Sequence, residues 1–341
     1  MSLLPFLHIV SDHRSLSTDQ AREAMHIILT GQATPVHIGA FLVALRMKRE
    51  TVDELVGFAR AMREMAVPIE VGLNGEPLLD TCGTGGDGLS TFNISTVSAF
   101  VVAAAGVRVA KHGNRSISSQ CGSADLLEML GVRIPMPPEV CARAIREIGI
   151  GFLFAPAVHT ATKHVHPVRL ELKMRTVFNL LGPLTNPAGA TAQLAGTPSA
   201  HAAELIAGAL ARLGLRRGFV VHGSDGLDEI TTTGPTLAYE IHDGRVEKRT
   251  LLPEHFGVET ARPEDLRGGD KHQNCEIALA VLKGALGAQR NIVLVNAAAA
   301  IVASGKAADF ADGVRLAVAA IDSGAARKKV QALAEFTAAT Q

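Results

Sequence analysis

Residues 80–88 read DTCGTGGDG, between an apolar PLL and the run LSTFNISTVSAFVVAAAG. Gly83, Gly85, Gly86 and Gly88 share six positions with one carboxylate, Asp87. A run like this packs no core, so its backbone is bared for something that approaches closely. Read as Gly83-x-Gly85-x-x-Gly88, it matches the dinucleotide fingerprint. That fingerprint needs an acid about 20 residues on to hold a ribose hydroxyl. No Asp or Glu occurs between Asp87 and Asp125, and the nicotinamide reading fails. A Walker loop fails as well, because Leu89 stands where Lys is required. The acid-free stretch instead carries Arg108, Lys111 and Arg115 with Ser90, Thr91, Asn93, Ser95 and Thr96. Backbone N–H groups of a Gly-rich turn, hydroxyls at a helix start and unopposed cations favour an anion. The loop reads as a phosphate site.

The rest of the chain narrows the class. Its 341 residues allow one large domain with a small companion, and 47% are hydrophobic, enough for a sizeable core. Formal net charge is zero, which argues against nucleic acid as a partner and makes any phosphate binding local. Cys82, Cys121, Cys141 and Cys275 are scattered, without metal-ligand spacing, as expected of reduced cytosolic thiols. The opening MSLLPFLHIVSDHRS lacks the pattern of a secretory leader, and the Ala-rich runs break before membrane-span length. A cytoplasmic protein without membrane segments is expected.

Two patterns divide the chain at 1–72 and 73–341. In the first, Ser17 with Gln20 and Thr51 with Glu54 have capping-box spacing, and Thr34 precedes Pro35. Three short amphipathic helices are predicted, forming a small helical domain. In the second, β-branched runs (VRVA, GIGFLF, RGFVVHG, then NIVLVNAAAAIVASG) alternate with Ala- and Leu-rich helical stretches. That alternation predicts an α/β domain with a partly parallel sheet. LAYEIHDGRVEKRTL reads as a hairpin turning at Asp243-Gly244. The stretch near 170–190 lacks strand character and reads as a helical excursion back to the first lobe.

Polar clusters follow the predicted strands: the glycines, KHGNRS after VRVA, His159 after GFLFAP, and HGSDGLDE after RGFVV. Open α/β sheets bind ligands at the carboxyl ends of their strands. Lys111 suits a phosphate as a point charge, and Arg115 can grip an anion through two parallel bonds. For Ser118, Ser119 and Ser123, phosphate contact and plain helix capping are both open, as is a simple loop role for His112. Asp228 and Glu229 would face the anion, which calls for a hard cation such as Mg²⁺; Asp225 is the weaker candidate. Arg169 fits either a small carboxylate or a structural salt bridge. FNLLGPLTNP reads as structural.

Taken together, GTGGDG (83–88), FNIST (92–96), KHGNRSISS (111–119), GSADLLE (122–128), FNLLGPLTNP (178–187) and HGSDGLDEI (222–230) resemble the anthranilate phosphoribosyltransferases of tryptophan biosynthesis, in family order and over nearly the whole chain. The resemblance implies a nucleoside phosphorylase-like fold, a homodimer paired through the helical domain, and transfer of phosphoribosyl from phosphoribosyl pyrophosphate (PRPP) to anthranilate. It implies PRPP contacts at Gly83, Gly86, Asp87, Thr91, Asn93, Ser95, Thr96, Lys111, His112, Gly113, Asn114, Arg115, Ser116, Ile117, Ser118, Ser119 and Ser123. It implies anthranilate contacts at Gly83, Asn114 and Arg169, and Mg²⁺ at Ser95, Asp228 and Glu229. No general base is assigned. Thr160 and Thr162 stand where the family often has Pro and Met, and Gln120 and Cys121 where Lys and Ser are common. These departures bear on substrate affinity and tolerance more than on reaction type. A pyrimidine-nucleoside phosphorylase of the same fold and a non-catalytic nucleic-acid binder are the rival readings.

Overall fold

The computed structural model describes residues 2–116 and 120–340. It opens with four helices: α1 (Leu4–Ser11), α2 (Thr18–Leu29), α3 (Pro35–Lys48) and α4 (Val52–Glu64). Reciprocal capping boxes form at Ser17/Gln20 and Thr51/Glu54, while the Thr34 hydroxyl accepts from the His37 N–H. α1 is an addition to the three predicted helices; it has no side-chain cap to announce it. Gly57 lets α4 approach α2 closely, since a Cβ there would stand 2.2 Å from the Thr18 carbonyl.

The second domain starts with β1 (Leu78–Gly83), α5 (Ile94–Ala104), β2 (Arg108–Gly113), α6 (Ser123–Met129), α7 (Pro138–Glu147) and β3 (Ile150–Phe154). Short helices α8 (Ala155–Val158), α9 (His166–Leu172) and α10 (Phe178–Leu181) then leave the sheet. The chain returns through β4 (Ala192–Gly196), α11 (Ala200–Arg212), β5 (Arg217–Gly223), β6 (Thr236–His242) and β7 (Arg245–Leu251). Four helices finish it: α12 (Lys271–Leu282), α13 (Ala288–Ala303), α14 (Phe310–Asp322) and α15 (Ala325–Ala339).

The sheet runs β3-β2-β1-β4-β5-β6-β7, parallel through β5 and antiparallel in the β6–β7 hairpin. Asp243 (φ 45°) and Gly244 (φ 80°) both take positive φ at its turn, as a tight two-residue hairpin demands. NIVLVNAAAAIVASG, expected among the β-branched runs, is instead helix α13, buried along nearly its whole length. A helix apolar all round shows no amphipathic period, so its β-branched start imitates a strand. β4 (AQLAG) passes unnoticed in the sequence for the converse reason: it carries no β-branched residue.

Two apolar cores cover the sheet. One packs α5, α7 and α12–α15 against one face. The other joins α1–α4 and α11 to Ala195, Val220, Tyr239 and Ile241 of the opposite face. Val165, Val168, Val177, Phe178, Leu181 and Leu184 also belong to this second core, so the excursion through α9 and α10 packs with the helical lobe.

Within that lobe, Glu54 is fully buried and accepts from the Leu16 N–H, the Thr51 N–H and Lys48 Nζ, each at 2.9 Å. Lys48 is itself 4% exposed. Removing one partner of such a pair strands the other charge, a loss of about 3–5 kcal/mol. Glu54→Ala should therefore lower the urea midpoint markedly. Lys48→Met with Glu54→Gln should recover part of that loss, which urea titration followed by circular dichroism will report.

Candidate active site

The strand order reverses between β1 and β4, and Gly83 at the end of one is paired with Gly196 at the end of the other. Such a switch point opens a crevice at the carboxyl edge of the sheet. Both glycines are required by what fills the crevice. A Cβ on Gly83 would lie 2.4 Å from Asp228 Oδ2, and one on Gly196 would lie 1.5 Å from the Asp228 carbonyl oxygen. Beyond β1 the loop turns through Gly85, Gly86 and Gly88 at φ 66°, 79° and 75°, a left-handed path closed to ordinary side chains.

The acidic loop after β5 holds this region together. Asp228 Oδ2 accepts from the Gly85 N–H at 2.9 Å, and Glu229 Oε1 accepts from the Ser95 N–H at 3.0 Å. Ser95 lies in the first turn of α5, where backbone N–H groups lack helical partners and favour negative charge. Asn296 of α13 sets the loop's orientation: its Oδ1 accepts from the Ile230 N–H and its Nδ2 donates to the Ile230 carbonyl, both at 2.9 Å. Asp225 is committed elsewhere, with the Thr231 and Thr233 hydroxyls donating to Oδ2 at 2.7 and 2.6 Å. Burial first, then the Asp87 charge, pushes the Asp228 carboxyl up to about 7. Burial and the Asp228 charge push Glu229 up to about 8.

Lys111 runs beneath the loop, 3% exposed, and its Nζ donates to the Thr81 carbonyl at 2.6 Å and to Ser95 Oγ at 3.3 Å. Burial lowers its pKa, while Asp80, Cys82, Glu229 and Asp228 act to raise it. Asp80, wholly buried, accepts from the His112 N–H at 3.0 Å and from Asn186 Nδ2 at 2.8 Å, and burial raises its pKa. Asn186 thus gives the Gly- and Pro-rich FNLLGPLTNP a structural part under the site. His112 and His159 meet edge to face, ring centroids 5.1 Å apart. Desolvation takes them down to about 3 and about 4, so both are neutral at ordinary pH. Each has a buried Nε2 without a hydrogen-bond partner among the described residues.

The expected site residues occupy distinct places around this crevice. Asn93 is fastened, its Nδ2 donating to the Cys121 carbonyl and its Oδ1 accepting from Asn274. Thr96 is buried with an unpartnered hydroxyl among the described residues, and Thr91 bridges to Arg267. Asn114 is exposed; its carbonyl accepts from the Ser123 hydroxyl, and that hydroxyl fills the space a side chain at Gly113 would need. The Ser116 N–H donates to Asp125. Arg115 pairs through both Nη atoms with Glu128 and through Nη1 with Asp125, so its fork is occupied by acids of α6. Ile117, Ser118 and Ser119 lie outside the described residues. Arg169, on α9, stacks over the Phe178 ring at 5.3 Å, and burial lowers its pKa. It has no carboxylate partner among the described residues, which removes the salt-bridge alternative. Thr160 and Thr162 sit on the turn Thr160–His164, with the Thr162 hydroxyl donating to the His159 carbonyl.

Glu229, buried, and Asp228, half-buried, are held mainly by backbone N–H groups, and with the serine hydroxyl beside them they form a hard-oxygen donor set. No group of three His, Cys, Asp or Glu residues among the described residues could hold a metal by itself. A cation there would have one or two carboxylates and would complete its shell with phosphate and water. Sequence reading missed three residues here: Asn296, Asn186 and Arg175, whose Nη1 donates to the Gly85 carbonyl at 2.8 Å.

Comparison with known proteins agrees with the fold, a small helical domain beside a larger α/β domain. Residues 4–66 match the helical bundle domain and residues 75–327 the a/b domain of a glycosyl transferase family. The chain is 70% identical over 338 residues to the anthranilate phosphoribosyltransferase of Solibacter usitatus (strain Ellin6076), covering 99% of each. Among solved structures it resembles the anthranilate phosphoribosyltransferase of Thermus thermophilus at a TM-score of 0.92 and 44% identity, over 98% of this chain and 99% of that one. The Saccharomyces cerevisiae enzyme in complex with PRPP and Mg superposes at 0.90 with 26% identity, over 98% of each chain.

The raised carboxyls make a pH prediction for metal-free protein. An acid whose folded pKa exceeds its unfolded value binds protons more tightly when folded, so its effect on stability is most favourable at low pH and worsens as pH rises. The window runs from ordinary carboxylate values of about 4 up to about 8. Asp228→Asn with Glu229→Gln should flatten the decline in Tm across that window and raise Tm at its alkaline end. Calorimetry in EDTA will read this; an unchanged slope in the double variant would contradict the assignment.

Proposed function

The chain belongs to the anthranilate phosphoribosyltransferase family, and from that premise we propose that the crevice between β1 and β4 transfers the phosphoribosyl group of PRPP to the amine of anthranilate, releasing pyrophosphate. The product is N-(5-phosphoribosyl)anthranilate, and the activity belongs to tryptophan biosynthesis. The observation that carries this reading is the pair Asp228 and Glu229, set against the Gly-rich loop and the start of α5. Acids at a phosphate loop make sense only with a cation between them and a polyanion. A nucleoside phosphorylase taking inorganic phosphate has less need of that pair.

In the reaction the bond from the anomeric carbon to the pyrophosphate oxygen breaks, charge resembling an oxocarbenium ion develops, and the amine nitrogen bonds that carbon and then releases one proton to water. Catalysis therefore needs leaving-group charge met and the amine held in line. Mg²⁺, held by Asp228, Glu229 and the Ser95 hydroxyl, would supply charge neutralisation for the diphosphate. The loop at Gly83–Asp87 offers the phosphates the Gly86 and Asp87 N–H groups, and the start of α5 offers the Ser95 and Thr96 hydroxyls. Lys111 lends positive charge from below. Arg169 is the anchor for the anthranilate carboxylate, assisted by Asn114. No side chain is assigned as a base, because the aromatic amine attacks as the neutral species. His112 and His159, held neutral, add no positive charge near the developing cation.

A homodimer through the helical lobe is part of the proposal. Among the described residues, Leu4, Val36, Met47 and Leu170 are large, apolar and exposed, and they sit on α1, α3 and α9, helices that pack on one another. A cytoplasmic location is proposed as well. It fits four cysteines that form no disulfide among the described residues and the absence there of any helix long and apolar enough to cross a membrane.

Turnover measured as loss of anthranilate fluorescence, with titration calorimetry of PRPP, Mg²⁺ and single-stranded DNA, tests the reading. Turnover and PRPP binding are expected, and DNA binding is not. Arg169→Ala should raise the anthranilate KM about ten- to a hundredfold while the PRPP KM stays near its starting value, as expected for one charge-assisted contact. An unchanged anthranilate KM would refute the anchor. For the acids, Asp228→Asn with Glu229→Gln should weaken PRPP binding and move the Mg²⁺ requirement to higher concentration. Were no cation involved, the same variant would bind PRPP more tightly by relief of repulsion.

A further inference from the structure

Arg175 lies between α9 and α10, two residues after Lys173, whose left-handed backbone (φ 46°) turns the chain at the end of α9. Its Nη1 donates to the Gly85 carbonyl at 2.8 Å. Arg46 of α3 donates in turn to the Arg175 carbonyl at 2.6 Å. The helical lobe is thereby joined to the phosphate loop through two arginine side chains in series. Gly86 shows how closely the guanidinium is fitted: a Cβ there would lie 1.7 Å from Nη1. Asp228 and Asp87 act on the guanidinium electrostatically, and its Nη2 is buried with no hydrogen-bond partner among the described residues.

An unsatisfied buried N–H costs stability, so Nη2 adds nothing to Arg175 as a structural pin. The loop it touches has the opposite problem. Gly85, Gly86 and Gly88 lose more conformational freedom on ordering than any other residues would. Described side-chain bonds inside the loop are otherwise few: Asp228 to the Gly85 N–H and Asp87 to the Leu89 N–H. A ligand that had to order such a loop by itself would bind more weakly for it. Asp228 and Arg175 grip one residue from both sides, the first by its N–H and the second by its carbonyl. That grip fixes the peptide planes on either side of Gly85 before any phosphate arrives.

We propose that Arg175 is a positioning residue for the diphosphate, acting through the Gly85 carbonyl to hold the loop in its binding geometry and to couple it to the helical lobe. The proposal rests on the phosphoribosyl-transfer reading, and its test separates the two. In the full-length chain, Arg175→Ala and Arg175→Lys are compared with wild type for PRPP affinity by calorimetry in excess Mg²⁺, for both KM values and for Tm. The alanine variant should lose about tenfold in PRPP affinity, the worth of one charge-assisted contact. The lysine variant should recover part of that loss. The anthranilate KM should move less than about twofold and Tm should change little, and ethylguanidinium should restore PRPP binding to the alanine variant in part. Equal losses for both substrates with a large fall in Tm would make Arg175 a structural pin and overturn the proposal, as would wild-type PRPP affinity in the alanine variant. Wild-type protein that binds no PRPP would overturn the phosphoribosyl reading itself.

Discussion

Asp228 and Glu229 each spend a carboxylate oxygen on a backbone N–H of a different segment, Gly85 of the loop after β1 and Ser95 of the helix that follows. This pair of bonds closes the crevice between β1 and β4, and neighbouring residues are constrained by it. Gly83 and Gly196 lack side chains because Asp228 occupies the space. Asn296, buried on α13, matches both backbone groups of Ile230 so that the acids before it cannot swing away. Each constraint follows from placing two acids at the edge where two parallel strands diverge.

Such a placement is costly unless something positive arrives. Burial raises both carboxyls, and neighbouring acids raise them further. Lys111 lies below, with its ammonium committed to the Thr81 carbonyl and the Ser95 hydroxyl. Arg175 approaches from the helical lobe and Arg115 is engaged by Glu128. The cations supplied by the chain thus border the acids without neutralising them. That electrostatic deficit in the protein alone matches the surplus of negative charge on a diphosphate bound together with a divalent cation.

What could be read in advance divides along physical lines. Helix starts were legible because capping is local chemistry: Ser17/Gln20 and Thr51/Glu54 declare themselves within four residues. The Asp243-Gly244 turn was legible for the same reason. Glycine density marked GTGGDG as a loop of bared backbone, and the positive φ of Gly85, Gly86 and Gly88 agrees with that. α13 was hidden because a helix buried almost all round has no polar face to give it a period, and β4 because it carries no β-branched residue. Asn186, Asn296 and Arg175 were hidden because their partners are 106, 66 and 90 residues away. No local pattern marks an asparagine that satisfies a distant backbone.

The helical lobe, to which the sequence already sends the excursion near 170–190, also bears on the site. Its core is continuous with one face of the sheet, through α11 and the side chains of Ala195, Val220, Tyr239 and Ile241. The excursion through α9 and α10 adds Val168, Phe178 and Leu181 to that same core while carrying Arg169 and Arg175 outward. Both arginines therefore ride on a surface whose position is set by the packing of α1–α4, whereas the glycine loop is set by the carboxyl ends of β1 and β4. A reaction whose catalysis is mostly positioning needs those two references held at a defined separation. Continuity of the second core across lobe and sheet provides that separation. It also explains why a small four-helix lobe accompanies an α/β domain that already has a complete core of its own on the other face.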